Sequence, residues 1–361
     1  MQFKEAEKII SKTKPIMDTV VVSFDSGRIW SYSPSTMCFI SVKVDEMEQQ
    51  DTSVTIKQDA LKKITKLKSI NQISLSEEVI NVSGSLNLKV ATSSDPVEDY
   101  PELPTVTKDI GTWANPKFNL FNYTSPKDMA RGCLEGIMIQ DKNSFATDGH
   151  TLKMKYNTHE FKDTLWISDV YKSLIETDTK YELSYSVSKI HEQSKEQTFI
   201  KFTNGDVDLY LEHDENQLNF PDVYRVIPKT EKLHLANINL SEMLSVCKEI
   251  LPFANAKTKL IKFNYQKKAD TGFGKCKISC LNRDDGTTAD KTVSAVVETF
   301  PNDYEVGFNG SYLITLLSDL SKAIDKCEYY VSESPIMPSI FKNYEDDSLG
   351  LLMPLRIIEE M

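Results

Sequence analysis

The sequence has no long apolar run; its hydrophobic stretches fall far short of the roughly 20 residues that a membrane-crossing helix needs. Its opening, Met1-Gln2-Phe3-Lys4-Glu5, lacks the apolar core of a secretory signal, so a cytoplasmic location with no membrane partner is expected. Paired cysteines are missing as well. The six cysteines, at 38, 133, 247, 276, 280 and 327, include no CxxC pair. Cys276 and Cys280 would share one face of a strand, but the five histidines are not spaced to complete a zinc site. Buried, reduced thiols and no metal are the expectation.

Catalytic signatures are also absent. There is no glycine-rich phosphate loop, no HExxH helix and no GxSxG elbow. Asn282-Arg283-Asp284-Asp285-Gly286 has the wrong ligand spacing for a calcium loop and reads as a hairpin tip. Asp148-Gly149-His150 could form an acid–base pair, yet no partner cluster accompanies it and a turn is the better reading. No enzyme activity and no cofactor are expected.

What is present is a chain of 361 residues, too long for one ordinary core, with 40% hydrophobic and 26% charged residues. The net charge of −11 is unevenly spread. Residues 4–14 carry Lys4, Lys8, Lys12 and Lys14 against two glutamates, for +2. Residues 57–68 carry Lys57, Lys62, Lys63, Lys66 and Lys68 against Asp59, for +4, which leaves −17 elsewhere. Exposed helices commonly carry lysine, but an acidic body with two basic helices can also hold a polyanion at one surface and repel it elsewhere.

Helical spacing runs through Phe3, Ala6, Ile9 and Ile10, and through Ala60, Leu61, Ile64 and Leu67 within 57–68. Strand patterns occupy Val20–Phe24, Ile29–Tyr32 and Cys38–Val44, then Gln72–Leu75, Val79–Val82 and Leu86–Ala91. The acidic, proline-bearing stretch 94–104 reads as a linker. A similar order recurs: Leu165–Ile167, a helix begun at Ser168 or Asp169, then strands at Tyr181–Val187, Thr198–Phe202 and Val207–Leu211. A second aromatic–proline pair, Phe220-Pro221, follows Tyr100-Pro101 by 120 residues. The last third opens on a capping box at Asn239 and Glu242, and Asn309 caps a helix striped by Leu313, Leu316, Leu317, Leu320 and Ile324. The pattern predicts an α+β protein of three duplicated units: 1–107, 108–230 and 231–361. Each should have about two helices packed on antiparallel sheets. The middle unit is weakest, because its first helix must fall near 108–125, across Gly111 and Pro116.

Four stretches in order resemble the beta sliding clamps of bacterial DNA polymerase III: Phe145–Leu152, Phe220–Lys229, Val306–Leu313 and Leu352–Ile357. Residues 1–144 match in element order more than in motif, with Leu134-Glu135-Gly136 as a faint anchor. The resemblance implies three DNA-clamp domains per chain, closing head to tail with a second copy into a ring. It implies a processivity factor that encircles double-stranded DNA without reading sequence and tethers a replicative polymerase and a clamp loader. Lys8, Lys12, Lys14, Lys62, Lys63 and Lys66 would then meet phosphates. Carried over position by position, a groove for partner peptides would be walled by Leu134, Thr147, Gly149, His150, Leu152, Pro221, Arg225, Val226, Leu351, Met353, Pro354, Leu355 and Arg356. Without the resemblance the same residues read as domain core. Thr151 departs from the pattern, standing where the family carries an arginine. Two other readings stay open: a monomeric clamp-fold scaffold that binds peptides without encircling DNA, and an enzyme using Asp148 and His150.

Overall fold

The computed structural model describes residues 1–13, 18–125, 131–190, 195–229, 234–267, 273–297, 304–322, 325–332, 334–343, 345 and 347–357. The chain divides into two compact units, Met1–Asn115 with His159–Asn216, and Pro116–Thr158 with Gln217–Met361. It is α+β, with four α-helices among the described residues set on antiparallel sheets.

In the first unit, α1 (Phe3–Ile10) buries Phe3, Ala6 and Ile10 on one face, with Glu5 in its first turn and Lys8 in its last, as the helix dipole favours. An eight-stranded sheet follows in the order Ser53–Lys57, Thr19–Ser23, Arg28–Ser33, Cys38–Lys43, Val207–Glu212, Gln197–Asn204, Lys180–Ser188 and Thr105–Ala114. The early meander and the late one join where Phe39 pairs with Tyr210 and Ile40 with Leu209. Phe39 is the centre of an aromatic core, with ring centroids 4.6 Å from Tyr32, 5.5 Å from Phe199 and 6.3 Å from both Trp30 and Tyr210. The short helix α2 (Gln58–Ile64) buries Leu61 and Ile64 and leads into a separate three-stranded meander, Ile70–Ser76, Val79–Gly84 and Leu88–Ala91.

The second unit repeats the plan. Gly136–Gln140, Asn143–Thr147 and Thr151–Lys155 form a meander whose last strand pairs with Ser348–Leu352. From there the sheet continues through Ser339–Asn343, Lys326–Val331, His234–Asn239, Thr287–Val297, Phe273–Asn282, Leu260–Lys267 and Tyr304–Asn309. Helices α3 (Leu240–Ile250) and α4 (Gly310–Leu320) pack against each other. Both start as the sequence predicts: the Asn239 side chain accepts from Glu242 N at 2.8 Å, and that of Asn309 from Ser311 N at 3.0 Å. The Tyr123 hydroxyl donates to the buried Asp319 carboxylate of α4 at 2.9 Å, fixing the 3-10 turn Leu120–Tyr123 against that helix.

Three local expectations are corrected. The helix expected near 108–125 is a strand, Thr105–Ala114, followed by the 3-10 turn. Its β-branched start suits a strand, Gly111 adopts φ 139°, and Pro116 follows too soon for a helix. The helix expected after Ser168 is one 3-10 turn, Asp169–Tyr171, because tertiary partners take the backbone groups that a helix would use: Glu176 N donates to the Tyr181 hydroxyl at 2.9 Å and its carbonyl accepts from Asn115 Nδ2 at 2.7 Å. The stretch 94–104 is no loose linker. Tyr100 joins the aromatic core, and the Asp95 carboxylate accepts from Lys57 at 2.8 Å, Ser93 at 2.8 Å and Thr19 at 3.1 Å. The Lys57 bond first, and Ser93 next, hold that carboxyl below the usual range.

Cys38, Cys247, Cys276, Cys280 and Cys327 are buried free thiols and Cys133 is half-buried. Among the described residues no helix is long and apolar enough to cross a membrane.

Candidate functional site

The site begins with a hairpin turn. Asp148 Oδ1 accepts from the backbone N–H groups of His150 at 2.9 Å and Thr151 at 2.6 Å, and from the Thr151 hydroxyl at 2.9 Å. Thr147 Oγ1 accepts from Gly149 N at 3.1 Å, and Gly149 sits at φ 86°, a conformation that suits glycine. All three bonds fall on Oδ1, so Asp148 serves this hairpin as the acceptor of its turn.

The turn is fastened on two sides. Met353 N donates to the His150 carbonyl at 2.9 Å, bringing in the chain that follows strand Ser348–Leu352. The His150 ring stacks on Tyr312 in the first turn of α4, with centroids 5.6 Å apart and planes within 20°. Opposite lies the segment Pro221–Val226, whose Asp222 caps a 3-10 turn through Tyr224 N at 3.2 Å. The ring of Phe145 holds Phe220 and Tyr224 edge-on at 5.6 and 6.2 Å.

These segments enclose a cavity of about 180 Å³ within the second unit. Nine of the thirteen predicted groove residues line it: Leu134, Thr147, Gly149, His150, Leu152, Pro221, Val226, Leu351 and Met353. The remaining four lie outside the lining. Arg225 is exposed and pairs with Asp222 at 2.9 Å. Pro354 is half-buried, Leu355 N donates to the Gly307 carbonyl at 2.7 Å, and Arg356 is exposed. The structure adds Arg131, Thr151, Asp222 and Val223 to the lining, and Tyr312 behind His150. Arg131 brings a cation to the wall although Thr151 does not. The lining is mainly aliphatic, which suits an apolar side chain; burying one leucine or phenylalanine there is worth about 1.5–3 kcal/mol.

The lysines expected to meet phosphates belong to the first unit. Lys4 Nζ donates to the Lys68 carbonyl at 3.2 Å, so α1 and the turn after α2 lie side by side. Lys8, Lys12, Lys62, Lys63 and Lys66 are all exposed. Lys12 reaches Glu176 at 3.9 Å and Lys62 reaches Asp59 at 3.5 Å, whereas among the described residues Lys63 and Lys66 have no acidic partner at ion-pair distance. Lys14 lies outside the described residues. Neither α3, with Glu242, Lys248 and Glu249, nor α4, with Asp319 as its one charge, shares the basic character.

No protein-family model matches the chain. No curated protein matches it. Solved structures do. The DNA polymerase III subunit beta of Pseudomonas aeruginosa superposes with a TM-score of 0.73 at 17% identity, over 98% of this chain and 97% of that one. A second structure, the DNA polymerase sliding clamp of the same organism, gives 0.73 at 17% identity over 99% of each chain. A third, a DnaN sliding clamp from P. aeruginosa bound to griselimycin, gives 0.74 at 18% identity over 99% and 98%. From end to end, then, the chain has the fold of the bacterial beta sliding clamp.

Proposed function

We propose that this protein is a DNA polymerase sliding clamp, a processivity factor that encircles duplex DNA without reading its sequence. In this reading it catalyses no reaction, and it tethers a replicative polymerase through the apolar groove. The observation that carries the reading is the cavity itself. Four segments distant in sequence, around 131–134, 147–152, 221–226 and 351–353, converge on one aliphatic slot, on a fold shared over nearly the full chain. Exposed Lys8, Lys12, Lys62, Lys63 and Lys66 on adjacent elements support a phosphate-facing surface that binds any sequence. The three-domain division 1–107, 108–230 and 231–361, a clamp loader as partner and a cytoplasmic location belong to the same proposal.

Two strand edges support a second copy, bound head to tail. Within each unit the third strands of two meanders pair antiparallel, Cys38–Lys43 with Val207–Glu212 and Thr151–Lys155 with Ser348–Leu352. Two meanders have a third strand left over among the described residues. Leu88–Ala91 pairs only with Val79–Gly84, and Thr287–Val297 meets His234–Asn239 only at Val296 and Val297. Exposed apolar side chains accompany both edges: Leu86 (69% exposed) near the first, Phe253 (49%) and Leu281 (43%) near the second. An open edge with apolar flanks invites pairing with another chain, and joining these two edges between copies would repeat the internal pattern.

The test is topological. Loaded on nicked circular DNA, the protein should be retained through gel filtration and released when the circle is linearised, and sedimentation should give twice the chain mass. Retention that ignores linearisation, or a monomer that never stays on circles, would defeat the proposal in favour of a monomeric peptide-binding scaffold.

A further inference from the structure

The segment that walls the apolar groove also walls a second, larger cavity of about 380 Å³, lined by Tyr156, Tyr224, Ile227, Pro228, Lys229, Lys342 and Leu349. The two cavities are neighbours on one sheet face. Leu349 lines one and Leu351 the other, two residues apart on the same strand and so about 7 Å apart. Tyr224 lines the second, its ring held by Phe145 at 6.2 Å and its hydroxyl accepting from Asn143 Nδ2 at 2.8 Å.

Their chemistry differs. The first cavity is aliphatic, and the acid on its wall, Asp222, is tied to Arg225. Among the described residues no acidic side chain lines the second, which presents Lys229 and Lys342 together with two tyrosines. Lys229 is exposed and has no acidic partner at ion-pair distance among the described residues; Lys342 Nζ lies 5.5 Å over the Tyr330 ring. Described carboxylates nearby stand outside the lining: Glu328 faces Lys342 across the strand pair, and Asp141 and Asp222 act on the Tyr224 hydroxyl.

We propose that this second cavity binds acidic side chains that flank the apolar anchor of a partner peptide, so that the preferred ligand is bipartite. The inference rests on the peptide-groove reading above. Carboxylates would accept charge-assisted hydrogen bonds from Lys229 and Lys342 while the leucine or phenylalanine anchor fills the neighbouring slot. The pair would select acidic partners against the repulsion of the body as a whole.

The experiment compares two fluorescein-labelled peptides that share a Leu-Phe anchor at the centre. One has Asp-Glu-Asp at each end, the other Asn-Gln-Asn. Fluorescence anisotropy in low salt should show the acidic peptide binding about tenfold more tightly. That advantage should vanish in a Lys229→Gln/Lys342→Gln variant whose affinity for the neutral peptide is unchanged. Equal binding of both peptides, or an advantage that survives the double substitution, overturns the acidic subsite and leaves the groove standing. Binding of neither peptide overturns the groove and this inference with it.

Discussion

The rings of His150 and Tyr312 lie nearly parallel, 5.6 Å apart, and join the tip of a hairpin to the first turn of α4. His150 lines the apolar cavity while Tyr312 braces it from behind. Burial, and then the Asp148 charge, raise the Tyr312 hydroxyl above its usual range, so the tyrosine stays neutral at physiological pH. An aromatic pair of this kind contributes about 0.5–1.5 kcal/mol beyond its buried area. His150→Ala should therefore weaken binding of a Leu/Phe peptide by roughly 2- to 10-fold, and Tyr312→Phe should leave it nearly unchanged. Anisotropy titrations of the two variants test this directly.

The paired basic elements make a prediction about salt. If Lys63 and Lys66 each neutralise one phosphate, Lys63→Gln/Lys66→Gln should lower DNA affinity about equally for every sequence. It should also reduce the magnitude of the log–log salt slope by about 2. Peptide affinity should not change, since both lysines belong to the first unit and the groove to the second. Filter binding across a salt series would expose a sequence-dependent loss or an unchanged slope, either of which contradicts phosphate contact.

Gly350 gives a packing prediction. A Cβ built there would collide with Leu316 Cδ1 and come within 3.2 Å of its Cγ, so α4 rests directly on the strand backbone beside the cavity wall. Gly350→Ala should destabilise the protein by about 1–3 kcal/mol in urea unfolding, the usual cost of overpacking. Shortening the neighbour, in Gly350→Ala/Leu316→Ala, should recover part of that loss relative to the sum of the single changes.

His213 makes stability depend on pH. Burial lowers its pKa from the ordinary 6.5, against the opposing pull of Glu215 and Asp214, and its Nδ1 has no hydrogen-bond partner among the described residues. The folded form therefore binds the proton less readily than the unfolded chain, and stability should fall as pH drops below about 6.5. Thermal melts between pH 7.5 and 5.5 should show a decline that is shallower in His213→Phe. An equally steep decline in that variant would place the titrating group elsewhere.

Much of the fold and of the groove is legible in the amino-acid order. The turn Asp148-Gly149-His150, the caps Asn239 and Asn309 and the hairpin tip near Gly286 depend on neighbours within three or four residues, and local chemistry fixes them. Seven of the nine expected residues that line the cavity lie inside the ordered motifs, which carry its turns and apolar side chains; Leu134 and Leu351 lie outside them. Tyr312 lies inside one of them, but nothing local reveals that its ring meets His150, a residue 162 positions earlier. The middle third misleads because its helix signals are weak and tertiary pairing with Lys180–Ser188 draws Thr105–Ala114 into a sheet.

By itself the sequence determined the α+β class, the repeated order of elements, the caps and turns, and the concentration of lysine in two short segments, all consequences of periodicity and near-neighbour chemistry. Only the tertiary structure decided which distant strands pair and which face each side chain takes. Along Thr151–Lys155, Leu152 lines the cavity, whereas Lys153 is fully buried, its Nζ 3.2 Å from Ser348 Oγ and 4.3 Å over the Phe118 ring. Alternation places neighbouring side chains on opposite faces, but a lysine is covered only because strand Ser348–Leu352 and Phe118 arrive from elsewhere in the chain.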